Sequence, residues 1–351
     1  MILSNQYIEY NSRQIDLLKL VLAVLVVGVH TLSSVDFIGR PILRLGVPIF
    51  FIISSYLFFI KQNSCTTAEK RKQSLIKYVK RILKLYLFWF VVLLPITVYY
   101  NKWHVNLSVD TFVVIVQNFF FNQTFLGSWY LMALILGISI VWALGEKRVN
   151  DVWIVIIGIL LYLLCCMSSN YNSLVAKVPL LNHALKSYEM VFTIPHNSLP
   201  AGILFIAIGK ILAQHSFYVS NKILFISTIV LFFILYCEHL WIRSNCMVTS
   251  DDCYLMLPPL CMSLFMLVGQ NTKLKLNSDI KPLRACSTII YCSHISIAFC
   301  LYGVLRNYVE YDTTAYQILS FFMTLALSSL LAYFVLKLEK HKHFRLLCYS
   351  H

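Results

Sequence analysis

The chain has 351 residues, 59% of them hydrophobic and 13% charged, with a formal net charge of +14. So apolar a composition excludes an ordinary soluble domain and leaves room for many membrane spans. The positive charge does not point to nucleic acid, because the basic residues sit in short loops between apolar runs, where the bias of cytoplasmic loops accounts for them.

Apolar runs fall at 17–35, 41–60, 82–100, 128–145, 152–168, 199–214, 222–242, 254–270, 285–306 and 316–338. Each approaches the length a bilayer requires. Together they predict an all-α, polytopic membrane helix bundle of about ten transmembrane helices, forming a single domain over 1–351 in a lipid bilayer. The first run has no small-residue cleavage site behind it and is read as a retained span. An N-terminus in the cytoplasm leaves only Arg40, Arg44, Lys102, Lys177, Lys186, Arg243 and Arg306 outside, seven of the 29 Lys and Arg. That split predicts both termini inside, in a multi-pass protein of the cell membrane.

The first helix, from Asn11 to Val35, carries Asp16 and Lys19 near its start and His30 deep within it. Ionisable groups inside a membrane are costly and are read first as functional. Eleven residues at about 100° each bring Lys19 and His30 to nearly the same face, roughly 16 Å apart along the axis. Between the second and third runs, Lys61 to Lys84 is the most basic stretch. Its end, YVKRILKLY, reads as a helix that places Arg81 and Lys84 on one face. Two long outer segments follow the third and fifth runs. The first contains VDTFVVIVQNFFFN, suited to an amphipathic helix at the interface, and the second carries Tyr171, His183, Tyr188 and His196.

Glu238 and His239 are expected at the outer interface. Most of the eleven cysteines lie in apolar runs, with no CxxC or Cys/His spacing, and no metal site is expected. Cys246 and Cys253 share a polar outer loop and are expected to pair as a disulfide. In the ninth run Ser287, Tyr291 and His294 form a polar stripe on one helix face, either bonding between helices or lining a site.

Five stretches carry a resemblance: IDLLKLVLAVLVVGVH, GVPIFFIISSYLF, KRILKLYLF, SWYLMALI and CSTIIYCSH. Taken in this order in a many-span protein, they resemble the acyltransferase-3 family of integral membrane proteins. The likeness runs from Asp16 to His294. It implies transfer of an acyl group, usually acetyl from cytoplasmic acetyl-CoA, to a hydroxyl or amine on the outer side, commonly of a cell-envelope glycan or a small molecule. Lys19 stands where the family has Arg, Lys84 replaces the second Arg of an R-x-x-R pair, and Ser54-Ser55 replaces Ser-Gly. The lysines keep the charge but hold phosphate as point charges, without the guanidinium fork.

Transfer from a thioester to an alcohol needs a base, oxyanion donors and cations for the CoA phosphates. His30 is the expected base or nucleophile, and Arg81, Lys84 and Lys19 are the expected CoA contacts, with Lys19 at the cation end of the catalytic face. Arg44, Ser54, Trp129, Tyr130, Tyr291 and His294 are the expected substrate contacts, although Trp129 and Tyr130 also suit interfacial anchors. The other reading is a transporter or exporter of a small molecule or glycan intermediate. No inverted repeat with matching broken spans supports it.

Overall fold

The computed structural model describes residues 12–32, 39–100, 109–192, 194–215, 217–246, 252–270, 281–311 and 313–351. In chain order its helices are α1 (Ser12–Thr31), α2 (Gly39–Leu43), α3 (Gly46–Asn63), α4 (Ala68–Val92), α5 (Leu94–Tyr100), α6 (Val109–Phe121), α7 (Trp129–Glu146) and α8 (Asp151–Ser168). After them come α9 (Asn172–Val175), α10 (Pro179–Phe192), α11 (Leu199–Gln214), α12 (Asn221–Asn245), α13 (Leu257–Gln270), α14 (Lys281–Leu305) and α15 (Thr314–Leu338). No strand occurs among the described residues.

Eight of the ten apolar runs each fall on one of these helices, and the second is divided between α2 and α3 at Arg44 and Leu45. Among the described residues seven helices are long and apolar enough to cross a membrane, or up to nine if each of two bent pairs is one span. The run at 254–270 becomes α13, whose 14 residues fall short of the roughly 20 a bilayer requires. The third run is broken. Between α4 and α5 the chain turns by 71° ahead of Pro95, whose missing N–H and ring clash interrupt a helix.

Two compact units form, each from separated stretches. One takes Met1–Ile15, Val47–Lys80 and Ala133–Leu276; the other takes Asp16–Gly46, Arg81–Met132 and Asn277–His351. In the first, α11 is the axis, buried along almost its whole length, as an all-round apolar helix must be. Glycines allow the close approaches. A Cβ at Gly158 of α8 would come within 2.9 Å of the Leu204 backbone, and one at Gly209 within 2.6 Å of the Ile52 carbonyl. Polar side chains tie the same helices, with Ser55 Oγ donating to the Ile206 carbonyl at 2.6 Å and Asn63 Nδ2 to that of Ala213 at 2.8 Å.

Two expectations meet the packing of this unit. Glu238 and His239 do not stand free. The Glu238 carboxylate accepts from Tyr171 Oη (2.7 Å), Leu255 N and Met256 N (2.9 Å), so it satisfies backbone donors just before α13. Burial, and then this carboxylate, push the Tyr171 phenol above its ordinary pKa. His239 is buried, its Nδ1 2.9 Å from Tyr254 Oη. Nor do Cys246 and Cys253 pair: both are free thiols, and Cys253 is buried in the packing.

The second unit holds α1 after Ile15, α2, the C-terminal part of α4, α5, α6, α14 and α15. Leu301, Leu305 and Tyr316 form a core where α14 meets α15, with Ile297, Val309 and Met323 against it. Gly46 lies close enough to α1 that a Cβ would meet Val26 at 2.6 Å. The chain's end docks on α4, where Trp89 Nε1 donates to the Ser350 carbonyl at 3.0 Å.

Candidate functional site

Most of the residues singled out by sequence fall in the second unit: Lys19, His30, Arg44, Arg81, Lys84, Trp129, Tyr130, Tyr291 and His294. Ser54 belongs to the other unit, on α3.

The pair at the centre is made by α1 and α14. The rings of His30 and His294 stand 5.3 Å apart, centroid to centroid, at 46°. His30 is exposed, whereas His294 is 1% exposed. Nδ1 of His294 faces two carbonyl oxygens of its own helix, Tyr291 at 2.7 Å and Ile290 at 3.2 Å. Carbonyls only accept, so Nδ1 must carry the proton and Nε2 must be the bare nitrogen. That Nε2 is buried and has no hydrogen-bond partner among the described residues. A buried polar atom so placed calls for an explanation, such as a catalytic role or a bound water.

The rest of the stripe on α14 has other tasks. Ser287 Oγ turns back to the Arg284 carbonyl at 2.8 Å and is satisfied within the helix. Tyr291 Oη donates to the Gly127 carbonyl at 2.9 Å, and its ring meets Tyr130 edge-on at 5.3 Å. Gly127 has φ of +84°, and a Cβ there would press on Ile295 at 3.0 Å, so glycine is required. The loop ahead of α7 is fixed further by Ser128 Oγ, which accepts from Thr124 N at 3.0 Å, and by Tyr86 Oη, 2.5 Å from Thr124 Oγ1. Tyr130 is thus a buried packing partner of Tyr291, not an interfacial anchor. Trp129 opens α7 beside it and is half-buried.

At the other end of α1, Lys19 Nζ lies 3.1 Å from Asp16 Oδ1, one helical turn away. Arg81 and Arg284 lie near enough to act on the Lys19 ammonium electrostatically. Sequence reasoning missed Arg284. Its signal was present: Arg284 precedes His294 by ten residues much as Lys19 precedes His30 by eleven. Lys84 is set apart from this group, its Nζ 4.9 Å above the Tyr349 ring. Arg44 sits in the turn between α2 and α3, its N–H bonded to the Arg40 carbonyl. Among the described residues no group of three or more His, Cys, Asp or Glu could hold a metal ion.

A family model described as an acyltransferase domain matches residues 12–333, nearly the whole chain. The chain belongs to the acyltransferase-3 family. It is a multi-pass membrane protein that carries the family's acyltransferase domain. Among curated proteins, the chain is 24% identical to an "Amino-acid racemase" of Enterococcus faecalis over 95% of its own length and 47% of the relative's. A second protein of that name and organism is 26% identical over 72% of this chain and 35% of the relative. A "Serine/alanine racemase" of Enterococcus gallinarum is 30% identical over 36% of this chain and 18% of the relative. The chain therefore spans about half the length, or less, of the curated relatives it matches. No solved structure matches it.

Proposed function

We propose that this acyltransferase moves an acetyl group from cytoplasmic acetyl-CoA to a hydroxyl on the outer side of the cell membrane, on a cell-envelope glycan or a related small acceptor. The observation that carries this reading is the histidine pair of α1 and α14, with an exposed imidazole beside a buried one whose free nitrogen is fixed by its tautomer. His30 takes the acceptor's proton as the hydroxyl oxygen attacks the thioester carbonyl. The C–S bond then breaks, an ester forms, and the CoA sulfur leaves as thiolate and is protonated from the imidazolium. His294 Nε2, the acceptor nearest in kind, orients His30 and shares the charge that develops on it.

Lys19, Arg81 and Arg284 supply the cations for the CoA phosphates, and Lys84 adds charge to the same α4 helix. Tyr291 and Tyr130 hold the loop at Gly127 and shape the acceptor side, with Trp129 next to it. Arg44 and Ser54 remain substrate contacts by family resemblance alone. One relative named for serine and alanine makes the hydroxyl of serine an acceptor to include beside glycans.

The test is acetyl transfer from labelled acetyl-CoA by purified protein in lipid nanodiscs, together with the O-acetyl content of envelope glycans in cells with and without it. Transfer by wild type and none by His30→Gln supports the reading; wild-type transfer by His30→Gln overturns it. Orientation is tested by labelling cysteines placed at the exposed positions Lys72 and Lys177 in a background lacking the natural ones. Inside termini require that an impermeant reagent reach only the second.

A further inference from the structure

The C-terminal end of α8 and the segment ahead of α13, both in the first unit, run past each other in opposite senses. Tyr162 Oη donates to the Tyr254 carbonyl at 2.9 Å, and the Asp252 N–H donates to Ser169 Oγ at 3.3 Å. Tyr162, Cys166 and Ser169 stand at i, i+4 and i+7, so they line one face of the helix and its end. With Tyr254 fixed at Tyr162 and Asp252 at Ser169, the residue between them, Cys253, is brought to Cys166. The two sulfurs lie within hydrogen-bond reach of one another. Both side chains are buried, at 1% exposed for Cys166 and 3% for Cys253.

Other contacts hold this register. Asp252 Oδ2 is 3.2 Å from His196 Nε2, and the N–H groups of Leu255 and Met256 donate to the Glu238 carboxylate. The neighbouring Cys165 is turned away, because adjacent residues of a helix point about 100° apart. Its Sγ donates to the Pro195 carbonyl at 3.4 Å. The structure holds Cys166 and Cys253 as thiols, with the segment already in place for a bond between them.

We propose that Cys166 and Cys253 are joined by a disulfide that fastens the segment ahead of α13 to α8. The proposal rests on the orientation above, which puts this end of α8 on the outer side, where disulfides persist. The two thiols lose two protons and two electrons as the S–S bond forms. The electrons pass to a protein disulfide of the outer compartment, which is reduced to its dithiol. Exchange needs a reachable thiolate, so the bond forms while the chain folds, before the two sulfurs are enclosed. It closes a long loop of chain, the case in which a cross-link restricts the unfolded state most.

Cells making the full chain are lysed in N-ethylmaleimide, and the membranes are digested without reduction and mapped by mass spectrometry. A linked peptide pair carrying Cys166 and Cys253 is expected. It persists in Cys165→Ser and in Cys246→Ser and is absent from Cys166→Ala. In nanodiscs, dithiothreitol opens the bond only after denaturant is added. Cys166→Ala and Cys253→Ala each lower Tm by about 5 °C or more, and the double variant falls no further, since all three lose the same bond. A linkage that survives Cys166→Ala, a Cys246 to Cys253 pair, or additive losses of Tm, as two separately packed thiols give, overturns the proposal. Alkylation of both thiols in the membrane also overturns it, and a cysteine at Lys177 then identifies the failed premise. If that cysteine is labelled from outside, the pairing is wrong; if it is shielded, the orientation is.

Discussion

Two histidines of long apolar helices, His239 on α12 and His294 on α14, are equally withdrawn from solvent, at 2% and 1% exposed. Nδ1 of His239 is 2.9 Å from Tyr254 Oη, so that imidazole is part of the hydrogen-bonded packing. His294 satisfies only its Nδ1, within its own helix, and keeps a bare Nε2 beside the ring of His30. The lysines repeat the contrast. Lys210 is buried and neutralised by Asp151, whereas Lys19 shares Asp16 with the field of Arg81 and Arg284. Equal burial thus goes with different partners.

The largest expected effect breaks the contrast on its chemical side. His30→Gln lowers turnover by about 10²- to 10⁴-fold, the usual worth of a positioned proton-transfer group, with insertion and donor binding intact. His294→Gln lowers kcat by about tenfold, less than loss of the base itself, and leaves KM for acetyl-CoA in place. Equal rates for wild type and His294→Gln in steady-state transfer assays would reduce that residue to packing.

Next in size is the cation cluster. Lys19→Ala and Arg81→Ala each raise the KM for acetyl-CoA by about ten- to a hundredfold with little change in kcat, as for loss of a charge-assisted contact. Arg284→Ala belongs with them, and its inclusion sharpens the comparison because sequence reasoning did not name it. Raising the salt in the same assay should weaken donor binding to wild type more than to the variants.

On the structural side, His239→Phe is expected to cost about 1 to 3 kcal/mol, since Tyr254 Oη loses its buried partner. Thermal unfolding in detergent should register that loss while KM for acetyl-CoA stays unchanged. A raised KM would instead connect His239 with the donor and collapse the distinction. The smallest effect is that of Lys84→Ala. Its ammonium stacks on Tyr349, a contact worth about 0.5 to 1 kcal/mol, so donor affinity should fall less than about fivefold. A loss as large as that of Arg81→Ala would restore Lys84 to the phosphate site.

Helix positions, the all-α class and the family were legible in the chain itself, because a bilayer imposes length and apolarity on each span and the five stretches keep their order. The same holds for Lys19 and His30 on one helix, since α1 runs unbroken from Ser12 to Thr31. What the chain did not disclose depends on which helix faces which. The approach of His294 to His30, the action of Arg284 on Lys19 and the partners of Glu238 and His239 all arise from contacts between residues apart in sequence. Helical periodicity states the face on which a side chain stands, and only packing states what meets it there. The third run, bent ahead of Pro95, shows the same limit: hydropathy records that a segment is apolar, whereas the folded chain decides whether it is one straight helix.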